Sequence, residues 1–283
     1  MDDLLSHPVT TFTTVLLSCI YLYTFSRDLS PFVSSYSLIL SSHHHHRFLT
    51  STLAHGSILH IVFNLSTLHS VRTLEDVLTP QVYLSYTIIS IILCTLLHLL
   101  LTHLHVALKS GTLRPSSYVS TTCQGLQAHV GYSGVIFSLL TYQILLQPSV
   151  APIFFLPSLT FETHTLPYLD LKYNLAPLIM CVFTSVIIKN ASFVGHLAGV
   201  VAGYLIHALS TSEIGLERFN FDLLDWYLWC VLAALLSDKF DPTSKSNSSS
   251  SESKFNPSLL CKSLLILTFF LTLLTLSPTI GEC

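Results

Sequence analysis

The chain has 283 residues, of which 51% are hydrophobic and only 10% charged, with 12 basic and 15 acidic side chains and a formal net charge of −3. A soluble domain carries about 25% charged residues to cover its surface, so a water-soluble globule is excluded. The aliphatic residues also gather into long runs, which makes this an all-α polytopic membrane protein with the lipid bilayer as its surroundings. The negative balance excludes a nucleic-acid partner, whose phosphates call for a basic surface.

A helix crossing the hydrocarbon layer needs roughly 17–25 residues with few charges. Runs of that kind occupy residues 9–25, 53–70, 82–104, 128–147, 172–188 and 193–209. Pro177 falls in the first turns of the fifth run, where the missing N–H costs little. A seventh run covers 219–236, a Ser-rich linker 241–258, and a possible eighth run 259–276. The expected organisation is a six-span core over 1–210, a seventh span within 211–240, the linker, and a last span with its tail over 259–283. The first run follows Met-Asp-Asp rather than a basic segment, so a retained span is expected there rather than a signal peptide.

Seven scattered cysteines with no C-x-x-C pair give neither a disulfide framework nor a zinc site. Polar residues inside spans are costly and therefore functional candidates, and here they are mainly histidines. The second run contains His55-Gly-Ser-Ile-Leu-His60-Ile-Val-Phe-Asn64. His60 and Asn64 are four apart and share a helical face, whereas a continuous helix would set His55 about 140° away from His60. That is poor spacing for a metal, and no H-E-x-x-H occurs. The six central runs hold no pair of aspartates, which removes an intramembrane aspartic protease as well.

Serine and histidine remain. The fourth run contains Gly131-Tyr132-Ser133-Gly134, and a serine hydroxyl becomes a nucleophile when a base within reach accepts its proton. Flanking glycines allow close approach to that hydroxyl. The sixth run opens Gly195-His196-Leu-Ala-Gly199-Val-Val-Ala-Gly203, with His196, Gly199 and Gly203 on one stripe and small residues four apart for close helix packing. If that stripe faces the fourth run, His196 meets Ser133 near one membrane face. His60, Asn64 and the backbone N–H groups around Ser133 would then supply donors for an oxyanion.

At these residues the sequence resembles the rhomboid family of intramembrane serine proteases, over about residues 5 to 210 and most closely in 55–64, 131–137 and 193–203. The stretch 157–203 looks closest to small plant-type rhomboid-like proteins of endomembranes. The resemblance implies Ser133 as nucleophile, His196 as general base without an acidic third member, and His60, Asn64 and the Ser133 N–H as the oxyanion site. It implies site-shaping roles for His55, Gly131, Gly134, Phe137, Gly199 and Gly203. Phe137 stands where many members carry a tyrosine stacked on the base. Arg47 matches the arginine of a Trp-Arg pair in the first loop, with His46 in place of the tryptophan, and Glu75 matches a glutamate after the second span. A seventh span resembles the six-plus-one layout of secretory-pathway members.

The expected activity is cleavage of single-span membrane proteins in or beside their transmembrane helix, with no metal or organic cofactor, in an endomembrane such as the Golgi or ER. The alternative is an inactive rhomboid-like protein that binds membrane clients without cutting them. The distribution of basic residues opposes the family's orientation, which sets the serine towards the lumen or exterior; the family's orientation is the expectation adopted.

Overall fold

The structure, a computed structural model, describes residues 6–34, 47–110, 130–153, 155–167, 171–188 and 191–211. The seventh and eighth runs and the linker lie outside the described residues. Those that are described form seven helices: α1 (Pro8–Thr24), α2 (Arg47–Leu53), α3 (Ile58–Ser70), α4 (Thr73–Ser110), α5 (Ser133–Leu145), α6 (Ala176–Ile187) and α7 (Phe193–Thr211). Four short strands lie between α5 and α6: β1 (Ser149–Val150), β2 (Phe161–Glu162), β3 (His164–Leu166) and β4 (Leu171–Tyr173).

The helix starts follow from local chemistry. Pro8 opens α1 and Pro177 stands in the first turn of α6, positions where a helix has no partner for the N–H that proline lacks. Ser57 caps α3, its hydroxyl accepting the His60 N–H at 3.2 Å. The helix expected over 53–70 therefore begins at Ile58 rather than at 53, and a separate short helix, α2, precedes it. His55 stands between the two, so the 140° offset expected from a continuous helix does not apply.

Helix α4 is broken at Thr79, whose backbone stands at φ 66, ψ 152. Pro80 has no N–H to donate and crowds the preceding residue out of helical conformation. The turn before the break packs near the start of α1, and the arm after it covers the third apolar run. Among the described helices, α4 over Thr73–Leu108 and α7 over Phe193–Thr211 are long and apolar enough to cross a membrane.

At the centre stands α5, buried on nearly every side and packed against α2, α3, α4, α6 and α7. A helix apolar all round is the kind that other helices enclose. Between α4 and α5 the Ser90 and Ser138 hydroxyls hydrogen-bond at 3.0 Å, satisfying two polar groups that lipid would leave unpaired. After α5 the chain makes two small antiparallel hairpins, β1 with β2 and β3 with β4. Asn174 ties them to α6: its Nδ2 donates to the Phe161 carbonyl at 2.9 Å and the Thr163 hydroxyl at 3.0 Å, and its Oδ1 accepts the Ala176 N–H at 2.8 Å.

Candidate active site

Two helix starts meet at one end of the bundle. Ser133 is the first residue of α5, and His196 lies in the first turn of α7. The Ser133 Oγ and the His196 Nε2 are 3.0 Å apart, and both residues are buried, at 8% and 3% exposure. A hydroxyl that donates to Nε2 requires the imidazole proton on Nδ1. That Nδ1 is buried as well and has no hydrogen-bond partner among the described residues. The Phe137 ring, one turn along α5 from Ser133, stacks on the His196 ring with centroids 4.6 Å apart.

Close contact between α5 and α7 depends on the absence of side chains. A Cβ on Gly199 would overlap the Gly134 carbonyl oxygen and lie 2.9 Å from the Phe137 Cβ. One on Gly203 would fall 2.5 Å from the Ser138 carbonyl oxygen, and one on Gly134 would sit 3.2 Å from the Gly195 carbonyl oxygen. Backbones therefore touch along the whole stripe, which sets the height and rotation of His196 against Ser133.

The third wall comes from α3 and the segment ahead of it. Gly131 has φ +125, open to glycine and strained for other residues. A Cβ there would overlap the His60 ring, 2.6 Å from its Nε2, so His60 packs directly against the backbone leading into Ser133. The His60 ring also stands edge to face with His55, centroids 5.1 Å apart, and lies within electrostatic reach of His196. Asn64, buried at 5% exposure, places its Nδ2 2.7 Å from the His55 Nε2.

Two contacts made by α2 carbonyls had no counterpart in the sequence reading. The Gly131 N–H donates to the Ser51 carbonyl at 2.8 Å, and the His55 Nδ1 lies 3.2 Å from the Leu53 carbonyl. Helix α2 is held in turn by Arg47, whose Nη1 donates to the Ser30 and Val33 carbonyls at 2.6 and 2.5 Å. Backbone acceptors carry no side-chain signature, so no residue type in α2 pointed to them.

The structure thus gathers Ser133, His196, Phe137, Gly131, Gly134, Gly199, Gly203, His60, His55 and Asn64 at one end of the bundle. Chemically the cluster offers a hydroxyl paired with an imidazole, beside a helix start whose first N–H groups have no intrahelical acceptor. Glu75, by contrast, lies at the start of α4 and binds the first residues of α1.

Compared with known proteins, residues 42–213 match the Rhomboid domain. Among curated proteins the chain is similar to Rhomboid-like protein 15 of Arabidopsis thaliana, 26% identical over 174 residues, covering 59% of this chain and 37% of that protein. The chain thus spans little more than a third of the length of the relative it matches. No solved structure gives a significant match. The domain match covers more than half the chain and takes in every converging residue from His55 to Gly203, so the protein belongs to the rhomboid family.

Proposed function

We propose that this protein is an intramembrane serine endopeptidase that cleaves single-span membrane proteins in or beside their transmembrane helix. The observation that carries the reading is the buried Ser133 Oγ–His196 Nε2 pair at 3.0 Å. In this mechanism Ser133 attacks the scissile carbonyl carbon while His196 takes the hydroxyl proton at Nε2. The Ser133 N–H, His60 and Asn64 hold the oxyanion. His196 then returns the proton to the leaving amine, and water hydrolyses the acyl-enzyme by the same route in reverse.

Helix length supports access for that water. Helix α5 has 13 residues, about 20 Å at 1.5 Å per residue, against a hydrocarbon core of about 30 Å. A serine at its first residue lies below the membrane surface, and the chain leading to it, from Val130 to Tyr132, is not helical. Irregular backbone at that depth is tolerated only when buried in protein or lining a water-filled cavity. The six-span core comprises α1, α3, α4, α5, α6 and α7 in this reading, in an endomembrane with the serine towards the lumen.

The test is labelling of the purified full chain by a fluorophosphonate, which forms a P–Oγ bond on Ser133 and releases fluoride. Wild type should label and Ser133→Ala and His196→Ala should not. Equal labelling of wild type and Ser133→Ala, or none of either, removes the protease reading and leaves a client-binding rhomboid-like protein.

A further inference from the structure

Resting on that reading of the oxyanion site, we propose that His55 is a positioning residue that fixes the orientation of the Asn64 amide. His55 is almost fully buried, at 1% exposure, and both ring nitrogens have partners. On one side its Nδ1 lies 3.2 Å from the Leu53 carbonyl. A carbonyl only accepts, so Nδ1 carries the proton. The neutral ring then offers only a lone pair at Nε2, because the bond made by one nitrogen sets the tautomer of the other.

That lone pair must be met by a donor. Asn64 presents its Nδ2 there at 2.7 Å. The relay runs from the Leu53 carbonyl through His55 to Asn64, and it rules out the flipped amide, in which the carbonyl oxygen would face a lone pair. One N–H of Asn64 is thus committed to His55, and the second is the donor left for an oxyanion. The relay starts on rigid ground. Leu53 closes α2, where helix carbonyls lack intrahelical partners, and α2 also accepts the Gly131 N–H through Ser51. One seven-residue helix therefore gauges both the approach to Ser133 and the orientation of Asn64.

Two measurements decide the proposal. The first is independent of activity: 15N NMR of histidine-labelled full chain in detergent micelles, with the His55 signal assigned by its loss in His55→Phe or His55→Gln. A ring protonated at Nδ1 and bare at Nε2 is the expected result. A ring protonated at Nε2 overturns the proposal whether or not the protein is a protease.

The second is the rate of inactivation by a fluorophosphonate, resolved into a maximal rate and an apparent affinity, with thermal stability recorded alongside. His55→Phe, which keeps a ring without an acceptor, should lower the maximal rate by about 10- to 100-fold, the range over which outer partners act on the groups they orient. His55→Gln restores an acceptor and should recover most of that loss. Added to Asn64→Ala, His55→Phe should cost nothing further, since its effect passes through Asn64. Additive losses, or no rescue by His55→Gln, overturn the positioning role. If His55→Phe fails to fold, His55→Leu, which also lacks an acceptor, takes its place alone and on the Asn64→Ala background. A wild type that does not label at Ser133 defeats the protease reading instead, and with it the oxyanion role of Asn64, while the tautomer measurement still decides the relay.

Discussion

The Phe137 ring lies over the His196 imidazole, its plane 27° from parallel and its centroid 4.6 Å away. It reaches that position because Phe137 follows Ser133 by one helical turn, so one face of α5 carries both the hydroxyl and the surface against which the imidazole rests.

The first prediction follows from that stack. Aromatic pairs contribute about 0.5–1.5 kcal/mol beyond their burial, which corresponds to a factor of roughly 2 to 13 in a rate if all of it is lost from the aligned base. Phe137→Leu keeps apolar volume and removes the stack, so fluorophosphonate labelling should slow by about that factor. Phe137→Tyr should label at close to the wild-type rate. Equal rates for the Leu and wild-type proteins would mean that the ring only fills space.

A second prediction separates two glycines on the same stripe. Gly199 touches the Gly134 backbone and the Phe137 Cβ, beside the dyad, whereas Gly203 touches Ser138 and Thr141, one turn further from it. Overpacking typically costs about 1–3 kcal/mol, and backbone on backbone leaves no rotamer to relieve it. Both Gly199→Ala and Gly203→Ala should lower the melting temperature. Gly199→Ala should also abolish labelling of the protein that remains folded, because it parts His196 from Ser133. Labelling that survives in Gly199→Ala but fails in Gly203→Ala would contradict this assignment.

Gly131→Ala supplies the third. A φ of +125 costs a non-glycine residue about 1–3 kcal/mol, and the new Cβ would enter the His60 ring. The substitution should displace His60 or break the Gly131 N–H bond to Ser51, and labelling should fall more than stability does. The check is the labelling rate together with a thermal melt. Unchanged labelling would show that the fit of Gly131 between His60 and Ser51 has no part in the chemistry.

Much of this site was legible because its spacing is periodic. His60 with Asn64, and Gly199 with Gly203, fall four apart within unbroken helices, so sequence distance translates directly into a shared face. His55 was misplaced because apolar residues on both sides, Leu53-Ala54 and Ile58-Leu59, join two helices into one run and hide the boundary between them. Ser57 was the available signal, a residue type that favours the cap position. Thr79-Pro80 was a comparable signal for the break in α4. The hairpins between α5 and α6 were not foreseen, since strands of two or three residues are too short to show alternation. The carbonyls of Ser51 and Leu53 left no trace, because any residue supplies one.

The last prediction concerns Glu75, at the other end of the bundle. Its carboxylate is buried at 2% exposure and caps α1 from the start of α4. Oε1 accepts the Val9 N–H at 2.8 Å, and Oε2 accepts the Thr10 N–H at 3.0 Å and the Thr10 hydroxyl at 2.8 Å. A negative charge at a helix N-terminus also meets the positive end of the helix dipole. Next to it, the His7 Nε2 and the Asp76 carboxylate make a second link at 3.1 Å. Glu75→Ala strands three buried donors, and each unsatisfied group costs about 1–3 kcal/mol, so the loss should be on the order of 3 kcal/mol or more. Glu75→Gln keeps one acceptor but turns an NH2 towards a donor, and it should be nearly as harmful. The site should not feel either change directly. Cys94, which packs against Gly134, stands fourteen residues beyond Pro80 on α4, about 21 Å along the helix. Both variants should therefore melt at lower temperature, while protein still folded in the cold labels at the wild-type rate. A melting temperature unchanged by Glu75→Ala would show that the cap is dispensable, and slowed labelling in the cold would show that α1 communicates with the dyad.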